Sequence, residues 1–387
     1  LTKVTILADD LTGALDTGVK FAAPGRRVDV LWGAGTPQGE VVVLDSETRV
    51  LPPEAAARVA VSWAGLAQGA MYKKMDSTLR GPFAAEAQAL ARAKGMKGAL
   101  YAPAFPGSGR TVIEGRLLVH GRPVGQTQFA ADPAWPVRES EVASVVAEQT
   151  GCRPGHLPLE LIRQGPEAIL GALDRSGGSL VADAETDEDL RLLARALVAR
   201  PEWLPVGSAG LAGALAGEMG FAPQPGPLPA LGRGFVLICG SAHPTNRLQI
   251  SRLTQATGVA PVTVGPGSEV RSALWEGYRS TGLAVLVSPS ERLPGQVSAI
   301  EEAMAAQACR AVRELRPEGI FVTGGQTLLA VLRALGVERL RLEAELAPGV
   351  VLSWAEVAGT PLQVVSKAGG FGDEYTLVRL FAPDQEG

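Results

Sequence analysis

The chain reads as an α/β protein made of two α/β domains with largely parallel sheets, and three observations predict this. From Lys3 onward, short apolar runs of strand length alternate with amphipathic stretches of helical length. At 387 residues the chain is long for one core, so two domains are expected. One segment, FAPQPGPLPALGRG at Phe221 to Gly234, is rich in proline and glycine and has no periodicity. The first domain is accordingly placed at residues 1–222, a linker at 223–234 and the second domain at 235–387, with an active site expected in the cleft between the two.

In chain order, Lys3 to Ala8 is a strand that ends in Asp9-Asp10, and Leu11 to Ala23 has helical spacing at Leu11, Leu15 and Val19. Asp10 stands where a helix N-cap belongs, which accounts for one aspartate and not for two. Strands follow at Val28 to Trp32 and Val41 to Leu44, and a helix at Pro53 to Gln68. The apolar lead-in Gly69-Ala70-Met71 enters YKKMDSTLRG (Tyr72 to Gly81), and Pro82 opens the next helix. After the strand Lys97 to Ala102 the alternation breaks at PAFPGSGRTVIEG, a loop, and then at a hairpin turning on His120-Gly121. A helix begins at Glu141, and strands and helices resume at Gly178 to Asp183, Asp187 to Val198, Glu202 to Val206 and Ser208 to Met219.

The second domain opens with the strand Phe235 to Cys239. Further strands are expected near Val262, at Leu283 to Val287 and at Ile320 to Val322, with a long helix from Pro294 to Leu315. Thr323 to Gly336 is a strand end, a Gly-Gly turn and a helix. Val350 to Trp354 and Leu362 to Val365 are the last strands, and SKAGGFGDE follows them.

Composition excludes several function classes. A net charge of −4 with interspersed signs argues against nucleic acid or an anionic membrane as main partner, and 5% aromatics are too few for a base-stacking platform. No apolar run reaches the length of a membrane span, so a cytoplasmic protein is expected. Cys152, Cys239 and Cys309 lack zinc-ligand spacing and are expected to be reduced thiols, and the three histidines are too dispersed for a metal cluster.

The chemistry is expected at strand ends. YKKMDSTLRG puts two lysines, an aspartate, two hydroxyls and an arginine at the carboxyl end of a strand, where ligands bind in open α/β sheets. Strand alternation places Tyr72, Lys74 and Asp76 on one face and Met71, Lys73 and Met75 on the other, which pairs Lys74 with Asp76. Read without context, such a cluster is equally a structural ion pair. In the second half, strands end in Gly240-Ser241, in Thr323-Gly324-Gly325 and in Lys367-Ala368-Gly369-Gly370. Glycines admit an anion close to backbone N–H groups and a helix start adds partial positive charge, so these are phosphate cradles in outline. Neither GxxxxGK[ST] nor a GxGxxG after a first strand occurs.

Seven motifs in order, ADDLTGALDTG, KKMDSTLRG, PAFPGSGRTVIEG, DPAWPVRES, GSAHPTNRLQ, VTGGQTLLAVLRALG and SKAGGFGDE, make the chain resemble the four-carbon acid sugar kinase family over nearly its whole length. That family comprises threonate, erythronate and 3-oxo-tetronate 4-kinases. The resemblance implies a sugar acid on the N-terminal domain, ATP with Mg²⁺ on the C-terminal domain, and phosphorylation of the terminal hydroxyl. Carried onto the matching motifs, it implies Asp9, Asp10, Lys74, Asp76, Arg80 and Arg110 at the sugar acid. At the nucleotide it implies Ser241, Gly324, Gly325, Gln326, Thr327, Lys367, Gly369 and Gly370, and it leaves metal ligands unassigned. The family's TGGET reads TGGQT here at Gln326, Asn246 stands at a threonine position, and Leu15 at a position where a polar residue is common.

Arg80 has the planar fork that suits a carboxylate, and Asp10 and Asp76 compete as the base near the attacking hydroxyl. Two other readings differ in class. A non-catalytic sugar-acid-binding or regulatory module would have no use for three phosphate turns, and a nicotinamide oxidoreductase would want the missing GxGxxG. Homo-oligomerisation is left open.

Overall fold

The computed structural model describes residues 3–33, 38–132, 134–221, 231–290 and 295–382, without the side chain of Arg271. Most of the expected linker, and Pro294 at the expected start of the long helix, lie outside these residues. The chain forms two compact units, residues 1–32 with 36–224 and residues 33–35 with 225–387. No helix among the described residues is long and apolar enough to cross a membrane.

In the first unit the strands are β1 (Val4–Ala8), β2 (Val28–Leu31), β3 (Val41–Asp45), β4 (Ala70–Lys74) and β5 (Gly98–Ala102). The hairpin set β6 (Arg110–Ile113), β7 (Arg116–Val119) and β8 (Arg122–Pro123) follows, then β9 (Gly155–Leu157), β10 (Leu180–Ala182) and β11 (Trp203–Gly207). The helices are α1 (Leu11–Gly18), α2 (Pro53–Ala64), α3 (Phe83–Ala93), α4 (Val142–Thr150), α5 (Leu159–Ile162), α6 (Pro166–Arg175), α7 (Asp187–Val198) and α8 (Ala209–Glu218). The main sheet runs β2-β3-β1-β4-β11-β5-β10-β9, and every pairing is parallel. Its strands β1, β2, β3 and β5 are buried on both faces, which is why they read as largely apolar runs. The order reverses at β1, which has β3 on one side and β4 on the other, so the ends of β1 and β4 open at a topological switch point.

The second unit contains β12 (Phe235–Cys239), α9 (Pro244–Thr257), β13 (Val262–Thr263), α10 (Arg271–Thr281), β14 (Leu283–Val287) and α11 (Val297–Leu315). It continues with β15 (Gly319–Thr323), α12 (Gly325–Ala334), β16 (Arg339–Ala347), β17 (Val350–Val357), β18 (Thr360–Lys367) and α13 (Thr376–Phe381). The order β13-β14-β12-β15-β18 is parallel, and β17 and β16 are added antiparallel. β16 has no counterpart in the sequence reading, although Leu340, Leu342 and Leu346 are buried while Arg341 and Glu343 are exposed, the alternation of a half-covered strand. Phe235, Phe321 and Phe381 meet in the core with ring centroids 5.3 and 5.5 Å apart.

Gly207 ends β11 between β4 and β5, where a Cβ would lie 2.7 Å from Tyr72 Oη, 2.8 Å from the Ala102 carbonyl and 2.9 Å from Leu211 Cβ. Gly207→Ala is therefore expected to push the Tyr72 hydroxyl off the Ser208 carbonyl, which it now meets at 2.6 Å. A destabilisation of about 1–3 kcal/mol in urea titration is the expected result.

Candidate functional site

Asp9 follows β1, is fully buried, and gives both carboxylate oxygens to Arg49, at 2.8 Å to Nε and 2.9 Å to Nη2. The same Nη2 lies 2.8 Å from Asp10 Oδ1, and Nη1 lies 3.8 Å from Asp76 Oδ1. One guanidinium thus spans three aspartates from two strand ends. Burial pushes the Asp9 carboxyl up, but Arg49, with Lys73 and Lys74 beyond it, holds it below the usual carboxylate range. Asp10 caps α1 by accepting the Gly13 N–H at 3.0 Å. Its side chain is 26% exposed, against 0% for Asp9 and 10% for Asp76, so it is the aspartate of the three that opens outward.

Asp76 sits beyond the end of β4. It accepts the Thr78 N–H at 3.1 Å and the Thr78 hydroxyl, and it meets Arg80 in a two-bond fork at 3.0 and 2.9 Å. Burial opposes its charge, yet Arg80 and then Arg49 hold it well below the usual range. The strand alternation is as expected: Lys73 points to Glu86 on α3, and Lys74 lies beside Gly13 on α1. The direct pairing of Asp76 with Lys74 is not found. The chain leaves the strand at Met75 and the turn folds Arg80 back onto Asp76, while Lys74 Nζ donates to the Met75 carbonyl at 2.7 Å.

Arg80 is also taken at its other end, with Nη1 3.1 Å from Asp132 Oδ2 and the guanidinium over the Phe129 ring. Arg110 differs. It donates through Nη1 to the Ser108 carbonyl, its buried Nε has no hydrogen-bond partner, and no carboxylate lies within ion-pair distance among the described residues. Burial lowers its pKa, Asp76 nearby opposes that, and Arg80 adds repulsion. Of the two arginines, Arg80 is already ion-paired, and Arg110 is reached by Asp76 and Asp16 only at longer range.

Arg49, Asp132 and Thr78 had no role in the sequence reading. Arg49 ends DSETR, a charged and hydroxylic run at the carboxyl end of the apolar β3, the same signal that singled out KKMDSTLRG. Asp45, at the end of β3, is buried with one oxygen unpartnered, and burial, then Asp10, pushes its carboxyl well above the usual range. Lys73 and Glu86 form a fully buried pair at 3.0 Å, and loss of one partner would cost about 3–5 kcal/mol.

In the second unit, register sets Cys239, Thr323 and Lys367 side by side at the ends of β12, β15 and β18, so the three glycine turns start from one row. They interlock: a Cβ on Gly240 would lie 2.0 Å from Thr327 Oγ1, and one on Gly369 would lie 2.1 Å from Ser241 Oγ. Gly324, at φ +99°, precedes α12, whose first N–H groups receive no side-chain cap. Gly325 begins that helix, Gln326 is exposed on it and Thr327 is buried; Gly370 packs under His243, whose ring caps α9. Asn246, fully buried, holds the Ser241 carbonyl at 3.0 Å, and its Oδ1 is unpartnered. Lys367 turns its ammonium onto the carbonyls of Ala368, Gly369 and Phe371 at 3.2, 3.1 and 3.1 Å, fastening its own loop. These turns, a bare helix start and a backbone that admits no side chain fit a polyphosphate. Among the described residues no three His, Cys, Asp or Glu side chains are grouped to hold a metal ion.

Burial brings the Lys367 ammonium down to about 8, partly offset by Cys239. The unfolded chain keeps that proton to higher pH, so between the two values it binds more protons than the folded state and stability rises with pH. Relative to Lys367→Met, the wild type is expected to gain on the order of 1–2 kcal/mol from about pH 7.5 to about pH 9.5. Paired urea titrations measure this, and a flat difference would show that the ammonium titrates normally.

A family model described as a sugar-binding N-terminal domain matches residues 4–215, and one described as a nucleotide-binding C-terminal domain matches residues 236–377. The D-threonate kinase of Cupriavidus necator is 36% identical over 96% of this chain and 95% of its own. The D-threonate kinase of Salmonella typhimurium is 32% identical over 97% and 96%. A solved structure from Salmonella typhimurium LT2 shares the fold at a TM-score of 0.82 and 24% identity, over 98% of each chain. With two domain models in sequence along it and kinases as full-length relatives, the chain belongs to the four-carbon acid sugar kinase family and is a phosphotransferase.

Proposed function

We propose that the protein transfers the γ-phosphoryl group of ATP to the terminal hydroxyl of a four-carbon sugar acid, a tetronate or 3-oxo-tetronate. We assign the acid to residues 1–222 and the nucleotide to residues 235–387. The observation that carries this reading is the pairing, in one chain, of an Asp–Arg cluster at the β1 and β4 ends with three interlocked glycine turns at the β12, β15 and β18 ends. Bound ATP would supply an activated phosphoryl group, with Mg²⁺ proposed as the companion of its phosphates rather than as an ion caged by side chains. The backbone of Ser241, Gly324, Gly325, Gly369 and Gly370 would hold the phosphates, with Gln326 and Thr327 at the start of α12 and Lys367 keeping the last turn in shape.

On the acceptor side the roles follow from what each group already holds. Asp10 is the most exposed aspartate of the three, so it orients the hydroxyl and takes its proton. Asp9 and Lys74 fix that aspartate's surroundings, and Asp76 is a positioning carboxylate bound to Arg80. The Arg80 fork, first in line as the carboxylate clamp by sequence, is taken by Asp76 and Asp132; Arg110 has no ion pair among the described residues and keeps a buried Nε without a hydrogen-bond partner, so the acid's carboxylate is assigned to Arg110.

A panel of tetronates and 3-oxo-tetronates incubated with ATP and Mg²⁺ tests the reaction, with ³¹P–¹H correlation reading the phosphorylated carbon. Phosphate on the terminal carbon is expected, and no transfer to any member would overturn the reading. Among variants, Arg110→Ala is expected to raise KM for the acid at least about tenfold with KM for ATP unchanged. Asp10→Asn is expected to lose kcat by about 10²-fold or more while binding the acid. Unchanged acid KM in Arg110→Ala together with a rise in Arg80→Ala would return the clamp to Arg80.

A further inference from the structure

The Arg49 guanidinium is placed by a turn, Ser46 to Arg49, that carries strain: Glu47 has φ +52°, a left-handed conformation uncommon outside glycine. The Ser46, Glu47 and Arg49 N–H groups tie this turn to the Ala8 carbonyl, the Asp45 carboxylate and the Asp9 carbonyl, and a buried polar chain reaches it from α3. Glu86, fully buried, accepts the Thr48 hydroxyl at 2.6 Å. Thr48 Oγ1 meets Ser46 Oγ at 2.8 Å, and Ser46 donates to the Ala8 carbonyl at 2.7 Å, one residue before Asp9. The other Glu86 oxygen meets Lys73, whose ammonium also donates to the Lys74 carbonyl at 2.9 Å. Glu86 therefore touches both segments that deliver the cluster, the turn bearing Arg49 and the strand end before Asp76. A buried ion pair is a poor device for stability alone, since apolar residues of similar volume do as well. Its hydrogen bonds to two separate chain segments are what an apolar pair could not reproduce.

We propose that Glu86 is a positioning residue for the transfer reaction, acting through Thr48 to set the turn that lays Arg49 across Asp9, Asp10 and Asp76. This rests on the cluster being the sugar-acid site. Thr48→Val removes the hydroxyl at nearly constant volume and leaves the Lys73–Glu86 pair intact, whereas Thr48→Ser keeps the hydroxyl. With a tetronate that the wild type phosphorylates, Thr48→Val is expected to raise the acid KM about tenfold and leave KM for ATP unchanged, and Thr48→Ser to restore it to within about threefold. An unchanged acid KM in Thr48→Val would overturn the proposal, as would an equal rise in both KM values. Crystal structures of the wild type and Thr48→Val supply a readout that needs no activity. Arg49 displaced from Asp76 in the variant supports the proposal even if no tetronate proves to be a substrate, and Arg49 unmoved overturns it.

Discussion

The acceptor half of the molecule depends on one guanidinium. Three aspartates converge where β1 and β4 end, and without a cation their mutual repulsion in a buried setting would protonate or separate them. Arg49 resolves this by giving Asp9 two bonds and Asp10 one, and by standing 3.8 Å from Asp76. Burial works against the charges of Asp9 and Asp76, yet both end on the ionised side because the arginines beside them outweigh it. A site that must take a proton from a hydroxyl needs a carboxylate that is charged and reachable. On the proposed reading Asp9 and Asp76 are the supports and Asp10, with its side chain 26% exposed, is the carboxylate within reach.

The nucleotide half rests on geometry more than on charge. Parallel register lines up the ends of β12, β15 and β18, and each turn is narrow enough that the neighbouring turn occupies the space of a side chain. Gly240 and Gly369 are required by these approaches, Gly324 by its positive φ. The lysine in this half serves the same end. By spending its three donors on carbonyls of its own loop, Lys367 fixes the shape of that turn.

Much of this was legible in the residues. Apolar runs ending in charge or glycine marked the strand ends, and Asp10 as N-cap and Lys73 and Lys74 on opposite faces follow from helix and strand periodicity. What was not legible depended on partners distant in sequence. Arg49 and Asp9 are 40 residues apart, and Arg80 and Asp132 are 52 apart, so no local pattern shows that Arg80 is already occupied. Lys74 looked like the natural mate of Asp76 because the two share a strand parity, but parity ends where the strand does, and Asp76 lies two residues past it. β16 was missed because its alternation is interrupted at Ala344 and Glu345, where its register with β17 shifts.

The occupied state of the acceptor cations has a consequence for specificity. Asp9, Asp10, Asp76 and Asp132 meet Arg49 and Arg80 in direct ion pairs, whereas Arg110 feels Asp76 and Asp16 only at longer range. On the proposed reading, the carboxylate of a sugar acid is met at a cation with coordination to spare. On the reading proposed above Arg110 is that group, since an anion beside it would offset its repulsion by Arg80 and partner its buried Nε. A neutral sugar of the same length would present hydroxyls to the cluster and relieve neither. On that reading, selection for an acid would follow from leaving one arginine outside the ion pairs that hold the others, because an unpaired buried charge discriminates between ligands more sharply than a paired one.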